Sequence, residues 1–174
     1  MSYTCRATSA ERHATLPGDA VVDPADVVMD RAFSLPAPPE AVWPWLVQLG
    51  KRRAGWYFPH WIERFIPRSR RGLRRLDPAY LDLAVGDVIP DWGGRDETFT
   101  VAGLVPGHHL LHTSTRGSTH LTWCLQLTPE GAGTRLHLRL RLAPVKHERL
   151  AEYAGGFVDW LTVTGLAAGL RERV

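Results

Sequence analysis

Histidine and aspartate supply the side chains from which proton-transfer chemistry could be built in this sequence. His108, His109, His112 and His120 crowd one short stretch, and Asp87 and Asp91 precede them. If Arg116-Gly117 is a two-residue hairpin turn, Thr115 pairs with Ser118 and His112 with Leu121. His112 and His108 then share a face with Leu121, Trp123 and Leu125, and a shift by one residue reverses that face. Facing an apolar interior, His112 could give or take a proton near neutral pH. The alternative is a hydrogen-bonded core histidine. Asp91 opens Asp91-Trp92-Gly93-Gly94-Arg95, a loop whose glycines would let it move as a lid. It is the best-placed carboxylate for catalysis, and a turn-forming aspartate is the competing reading. No HExxH or paired Cys/His spacing points to zinc.

The second chemical resource is aromatic. There are seven tryptophans in 174 residues. Trp56, Tyr57, Trp92 and Trp123, with Tyr153 and Phe157 near the C-terminus, could line an apolar pocket carrying a few polar tips, or could simply fill a core. Gly155-Gly156 interrupts a helical pattern at about 1 kcal/mol per residue relative to alanine, which suggests either room for a ligand or tight packing. Arg68, Arg70, Arg71, Arg74 and Arg75 gather part of a net charge of +3 in one place. Such a cluster could meet phosphates or an anionic surface, or remain a solvated loop. No nucleic-acid-binding signature accompanies it. Nothing resembles a nucleophile elbow, a phosphate-binding glycine loop or a dinucleotide fingerprint, so no cofactor is expected.

These residues need elements to position them. Residues 1–26 are polar and turn-rich and read as an arm that wraps a single domain spanning 27–174. Val27–Leu35 is a strand candidate, stopped by Pro36. Pro39 can open a helix over Glu40–Leu49, where Val42, Trp45, Leu46 and Leu49 form one buried stripe. Pro44 would bend that helix or mark its true start. A second short helix is expected from Pro59. Asp87–Pro90, Glu97–Val105, His108–Thr115, Thr119–Thr128 and Thr134–Ala143 then alternate in period two between Gly and Pro turns, as an antiparallel meander does. In the last of these Leu136, Leu138, Leu140 and Leu142 share the core face, and Arg135, His137, Arg139 and Arg141 the wet one. From Lys146 to Val174 the period becomes helical. Leu150, Tyr153, Ala154, Phe157, Leu161, Thr164 and Ala168 make an apolar stripe with Asp159 opposite. The fold class is therefore α+β: six or so antiparallel strands, curved around a long C-terminal helix, with two short helices after the first strand.

This order, together with Leu16-Pro-Gly-Asp19, Ala37-Pro-Pro-Glu-Ala-Val-Trp-Pro-Trp-Leu-Val-Gln-Leu-Gly50, Arg53-Ala-Gly-Trp-Tyr57, Val85-Gly-Asp87 and Thr134-Arg-Leu136, resembles the START-like or helix-grip (SRPBCC) superfamily, in particular a bacterial polyketide cyclase-like branch. The resemblance implies a hydrophobic cavity between sheet and helix, with Trp56-Tyr57 at its mouth. It implies no fixed chemistry.

The 44% hydrophobic and 22% charged composition is that of an ordinary globular chain. No run of ~18 apolar residues suggests a membrane span, and no signal-peptide core precedes the domain. Two cysteines, Cys5 and Cys124, read as free thiols of a cytoplasmic protein. Three functions remain open. The first is a carrier or sensor that binds a small hydrophobic molecule. The second is a cofactor-independent cyclase or dehydratase using His112 or Asp91 in the same cavity. The third is an interaction module, such as a homodimer, for which Leu166 and Leu170 on the more polar side of the last helix would be the contact.

Overall fold

Period-two alternation places the strands where it predicts them. In the computed structural model, which describes residues 5–145 and 156–174 (156–158 by backbone alone), they are β1 (Val27–Leu35), β2 (Val88–Pro90), β3 (Thr98–Val105), β4 (His109–Arg116), β5 (Thr119–Glu130) and β6 (Gly133–Ala143). They form one antiparallel sheet of six strands in the order β1-β6-β5-β4-β3-β2. A bulge between Val101 and Gly103 breaks the β3–β4 register and adds local bend. The helices are α1 (Ser9–His13), α2 (Pro39–Gln48), α3 (His60–Glu63) and α4 (Gly156–Arg171). Pro44 stays inside α2, and Val42, Trp45, Leu46 and Leu49 are all buried as their spacing requires. The second short helix is a single four-residue turn.

The concave face of the sheet carries Phe33, Leu121, Leu125, Leu127, Leu136 and Leu138, all buried. Burying each such side chain contributes about 1.5–3 kcal/mol. Helix α4 packs on β1, and α2 on β5 and β6. The face that α4 buries differs from the expected stripe. Val163, Leu166, Ala167 and Leu170 are buried, whereas Leu161 is 55% exposed. Leu166 and Leu170 therefore belong to the core and offer no contact for a partner. The reason lies in Gly165 and Gly169: a Cβ on Gly169 would stand 2.6 Å from the Tyr57 backbone, and one on Gly165 2.7 Å from the Phe58 ring. This close approach rotates α4 onto residues 57–58. Leu150, Tyr153 and Ala154 of the expected stripe, and Gly155, lie outside the described residues.

The expected wet face is a second buried layer. His137 and Arg139 are buried, His137 against Asp30 of β1 and Arg139 beneath the N-terminal residues. Arg139 donates to Asp30 (2.9 Å), Asp19 (2.8 Å) and the carbonyls of Ala14, Glu11 and Arg12, so its charge is matched and its donors are used. Arg135 pairs with Glu11 at 2.7 Å, a contact that holds the Glu11 carboxyl down at about 2. Burial alone would raise the Asp30 carboxyl, yet His137 and Arg139 pull it below its ordinary value. Leu16 packs with Leu111 and Cys124 on the same face. Both cysteines are free and buried, and Cys5 sits in the main core, its thiol 3.9 Å from the Val163 carbonyl. No helix among the described residues is long and apolar enough to cross a membrane.

Candidate functional site

Between the concave face and α4 lies a cavity of about 420 Å³. That volume falls within the range that holds small organic ligands. Its apolar wall is built from three directions. β5 and β6 contribute Leu121, Trp123, Leu140 and Leu142; β2 and β3 contribute Ile89, Pro90 and Phe99; the loop after α2 contributes Trp56 and Phe58. Trp56 stacks on Trp123 with centroids 6.2 Å apart and meets Trp92 edge-on at 5.4 Å. Its indole donates to the Thr162 carbonyl of α4 at 3.1 Å, which fixes the ring against the helix.

Three of the expected lining residues, Trp56, Trp92 and Trp123, come together on this wall. Tyr57 does not. Its side chain is wholly buried in the core, and its hydroxyl donates to the Trp45 carbonyl at 2.9 Å. In a loop that doubles back at Gly55, adjacent residues face opposite ways, so Trp56 and Tyr57 cannot both line one wall. Tyr153, and the Phe157 side chain, lie outside the described residues.

His112 lies behind the wall. The β4–β5 turn is centred one residue later than expected, with Arg116 opposite Thr119 and His112 opposite Trp123. Moving the centre by one residue slides the partner by two, so His112 keeps the face it shares with Leu121 and Trp123, contrary to the expected reversal. His112 is 3% exposed and stacks on Trp123 at 5.4 Å and against Phe99 at 5.5 Å. Neither ring nitrogen has a hydrogen-bond partner among the described residues. Burial pushes its pKa down to about 4; the Trp123 backbone opposes this without forming a bond of good geometry. The ring is neutral at pH 7 and serves as a flat side chain. His108 is exposed in the turn before β4, away from the inward face. The other early candidate, Asp87, is exposed and caps its own turn by accepting from the Ala84 amide at 2.9 Å.

Asp91 does reach the cavity, as one half of an ion pair with Arg116. Its other carboxylate oxygen accepts from the Trp92 amide at 2.6 Å. Gly93 closes over the pair: a Cβ there would lie 2.8 Å from the Asp91 carboxylate. The loop is also held down, because Lys51 donates to the carbonyls of Asp91 (2.7 Å) and Gly94 (2.8 Å). The glycines thus permit close packing over a pinned loop.

Two site residues escape a reading of the sequence. Arg116 resembles a turn residue but is the last residue of β4, inward-facing, with its guanidinium 5.6 Å from the Phe99 ring. Asp159 falls on the polar side of the helical pattern, yet it lines the cavity and pairs with Arg31 of β1 at 2.8 Å. Burial raises its pKa and Arg31 counteracts this. The cavity therefore presents aromatic and aliphatic walls with two carboxylates, each held by an arginine. Among the described residues no group of three His, Cys, Asp or Glu side chains is placed to hold a metal ion.

No protein-family model matches the sequence, and no curated protein matches it. Solved structures do. CalU16 from Micromonospora echinospora is 19% identical with a TM-score of 0.52, over 84% of this chain and 76% of that one. MLL2253 from Mesorhizobium loti is 21% identical with a TM-score of 0.52, over 85% and 98%. NE0264 from Nitrosomonas europaea is 18% identical with a TM-score of 0.50, over 86% and 97%. At these identities the likeness is one of fold alone, the helix-grip arrangement of a curved antiparallel sheet with a C-terminal helix.

Proposed function

We propose that this protein binds a small, largely apolar and ring-containing molecule in the cavity between sheet and α4, as a carrier or sensor. The supporting observation is the wall of Trp56, Trp92, Trp123 and Phe99 around a space of about 420 Å³. Aromatic faces reward flat apolar bodies through offset stacking and edge contacts. The two arginine-held carboxylates, Asp91 and Asp159, offer acceptors that orient a ligand hydroxyl or amine without leaving an uncompensated charge in the wall. Native mass spectrometry of the protein as purified tests this reading. The expected result is a co-purifying small molecule that is lost when the wall is filled by Leu140→Trp. A protein that carries nothing and takes up no apolar dye contradicts it.

A second reading is a cofactor-independent cyclase or dehydratase, and Asp159 favours it. A carboxyl whose pKa is raised in an apolar cavity is suited to give and retake a proton. On this reading Asp159 and Asp91 are the acid/base pair and His112 takes no part, since it does not line the cavity. Turnover reduced about 10²–10⁴-fold in Asp159→Asn, with dye binding intact, is the expected signature of the enzyme.

A further inference from the structure

Immediately after the cavity-lining Phe58 the chain turns outward. Trp61 and Phe65, four residues apart around α3 and the turn that follows, are 61% and 79% exposed. Two large aromatic side chains this open, one helical turn apart, make an apolar patch of the kind that marks a contact surface. The Arg64 guanidinium lies 5.7 Å from the Phe65 ring centroid. Arg68, Arg70 and Arg75 stand exposed along the continuation. Among the described residues none of these four arginines has a carboxylate partner, because the acids of the region are already engaged. Glu63 is buried between Arg74 (2.9 Å) and Arg173 (2.6 Å), and Glu172 holds Arg74 at 2.8 Å and the His60 amide at 2.8 Å. These bonds tie the base of the segment to Glu172 and Arg173, just after α4, so the aromatic and cationic tips are displayed on a firm support.

We propose that Trp61 and Phe65, with Arg64, Arg68, Arg70 and Arg75, dock the protein on an anionic lipid bilayer surface. Aromatic rings settle at headgroup depth while arginines pair with lipid phosphates. Single-stranded nucleic acid is less well suited, because its binders lay successive rings along a groove, whereas both rings here sit on one turn. This surface lies outside the cavity wall, and the proposal stands whether or not the cavity holds a ligand.

Co-sedimentation with phosphatidylcholine vesicles, and with vesicles that also contain phosphatidylglycerol, tests it. The protein is expected to pellet with the mixed vesicles only, and less so as salt rises. Trp61→Ala combined with Phe65→Ala should lower partitioning about ten-fold or more. Arg68→Glu and Arg70→Glu should each lower it about five-fold or more. All four positions are exposed, so unchanged thermal melts separate lost docking from lost folding, and the single variants serve if the double one melts early. Failure to pellet with the mixed vesicles, equal binding to phosphatidylcholine alone, or wild-type binding by the well-folded variants overturns the proposal. So does single-stranded RNA that binds through the same residues and displaces the vesicles.

Discussion

Trp56 and Trp123 stack with ring centroids 6.2 Å apart and planes 19° from parallel, one from the loop after α2 and the other from the middle of β5. The contact joins a loop to the sheet, and it is also the floor on which a ligand ring would rest. Trp56→Ala removes two aromatic contacts, each contributing about 0.5–1.5 kcal/mol. The affinity for an apolar fluorescent dye should fall about ten-fold with a small loss of stability, read from parallel dye and urea titrations. Trp123→Ala opens the wall itself and should destabilise by about 3–5 kcal/mol.

His112 makes a pH prediction whose sign is fixed by its depressed pKa of about 4. Between that value and the unfolded histidine value of about 6.5, the unfolded chain binds the extra proton. Stability should therefore fall as pH drops through this window, by at most about 1.4 kcal/mol per unit from this group. His112→Phe keeps a flat ring and should flatten that part of the curve. Urea midpoints for both proteins from pH 7 to pH 4 provide the check, and identical slopes would refute the assignment.

Asp159→Asn removes the carboxylate that pairs with Arg31 at 2.8 Å in a half-buried site. A loss of about 1–3 kcal/mol in urea unfolding is expected. If the protein is a carrier, dye affinity stays within a few-fold of the parent.

Arg139 joins β6 to the N-terminal arm through Asp30, Asp19 and three backbone carbonyls. Arg139→Ala removes the guanidinium from Asp30 and Asp19, which keep His137, Arg141 and the Leu16 amide as partners, and frees three carbonyls of the arm. A loss of about 1–3 kcal/mol is expected. Amide exchange should quicken together in α1 and the outer face of β6. Exchange confined to the termini would show that the arm does not act as a unit with the sheet.

The strands were legible because period-two alternation is a local signal. Leu136 to Leu142 and Leu121 to Leu127 state their faces outright, and even a misplaced turn centre left His112 on the correct side. What the outer face packs against was not legible. Arg139 meets Ala14 and Asp19 from more than a hundred residues away, and an arginine strand face reads as solvent unless those partners are known. The rotation of α4 was equally hidden. The helix is apolar nearly all round, and Gly165 and Gly169 choose its buried side only through contact with residues 57–58. Asp159 and Arg116 were missed for related reasons: a carboxylate at helical spacing and an arginine before a glycine have common explanations elsewhere. Trp56, Trp92 and Trp123 could be found because a sheet-and-helix fold with surplus tryptophan places some of them at the seam.

The most direct test is an apolar-dye titration of the parent protein and of Leu140→Trp, with melting temperatures measured alongside. Saturable one-to-one binding by the parent, abolished in a variant that melts as high or higher, is the result expected of a ligand-sized space beneath Trp56 and Trp123. Absence of saturable binding, or equal binding by the filled variant, would contradict it.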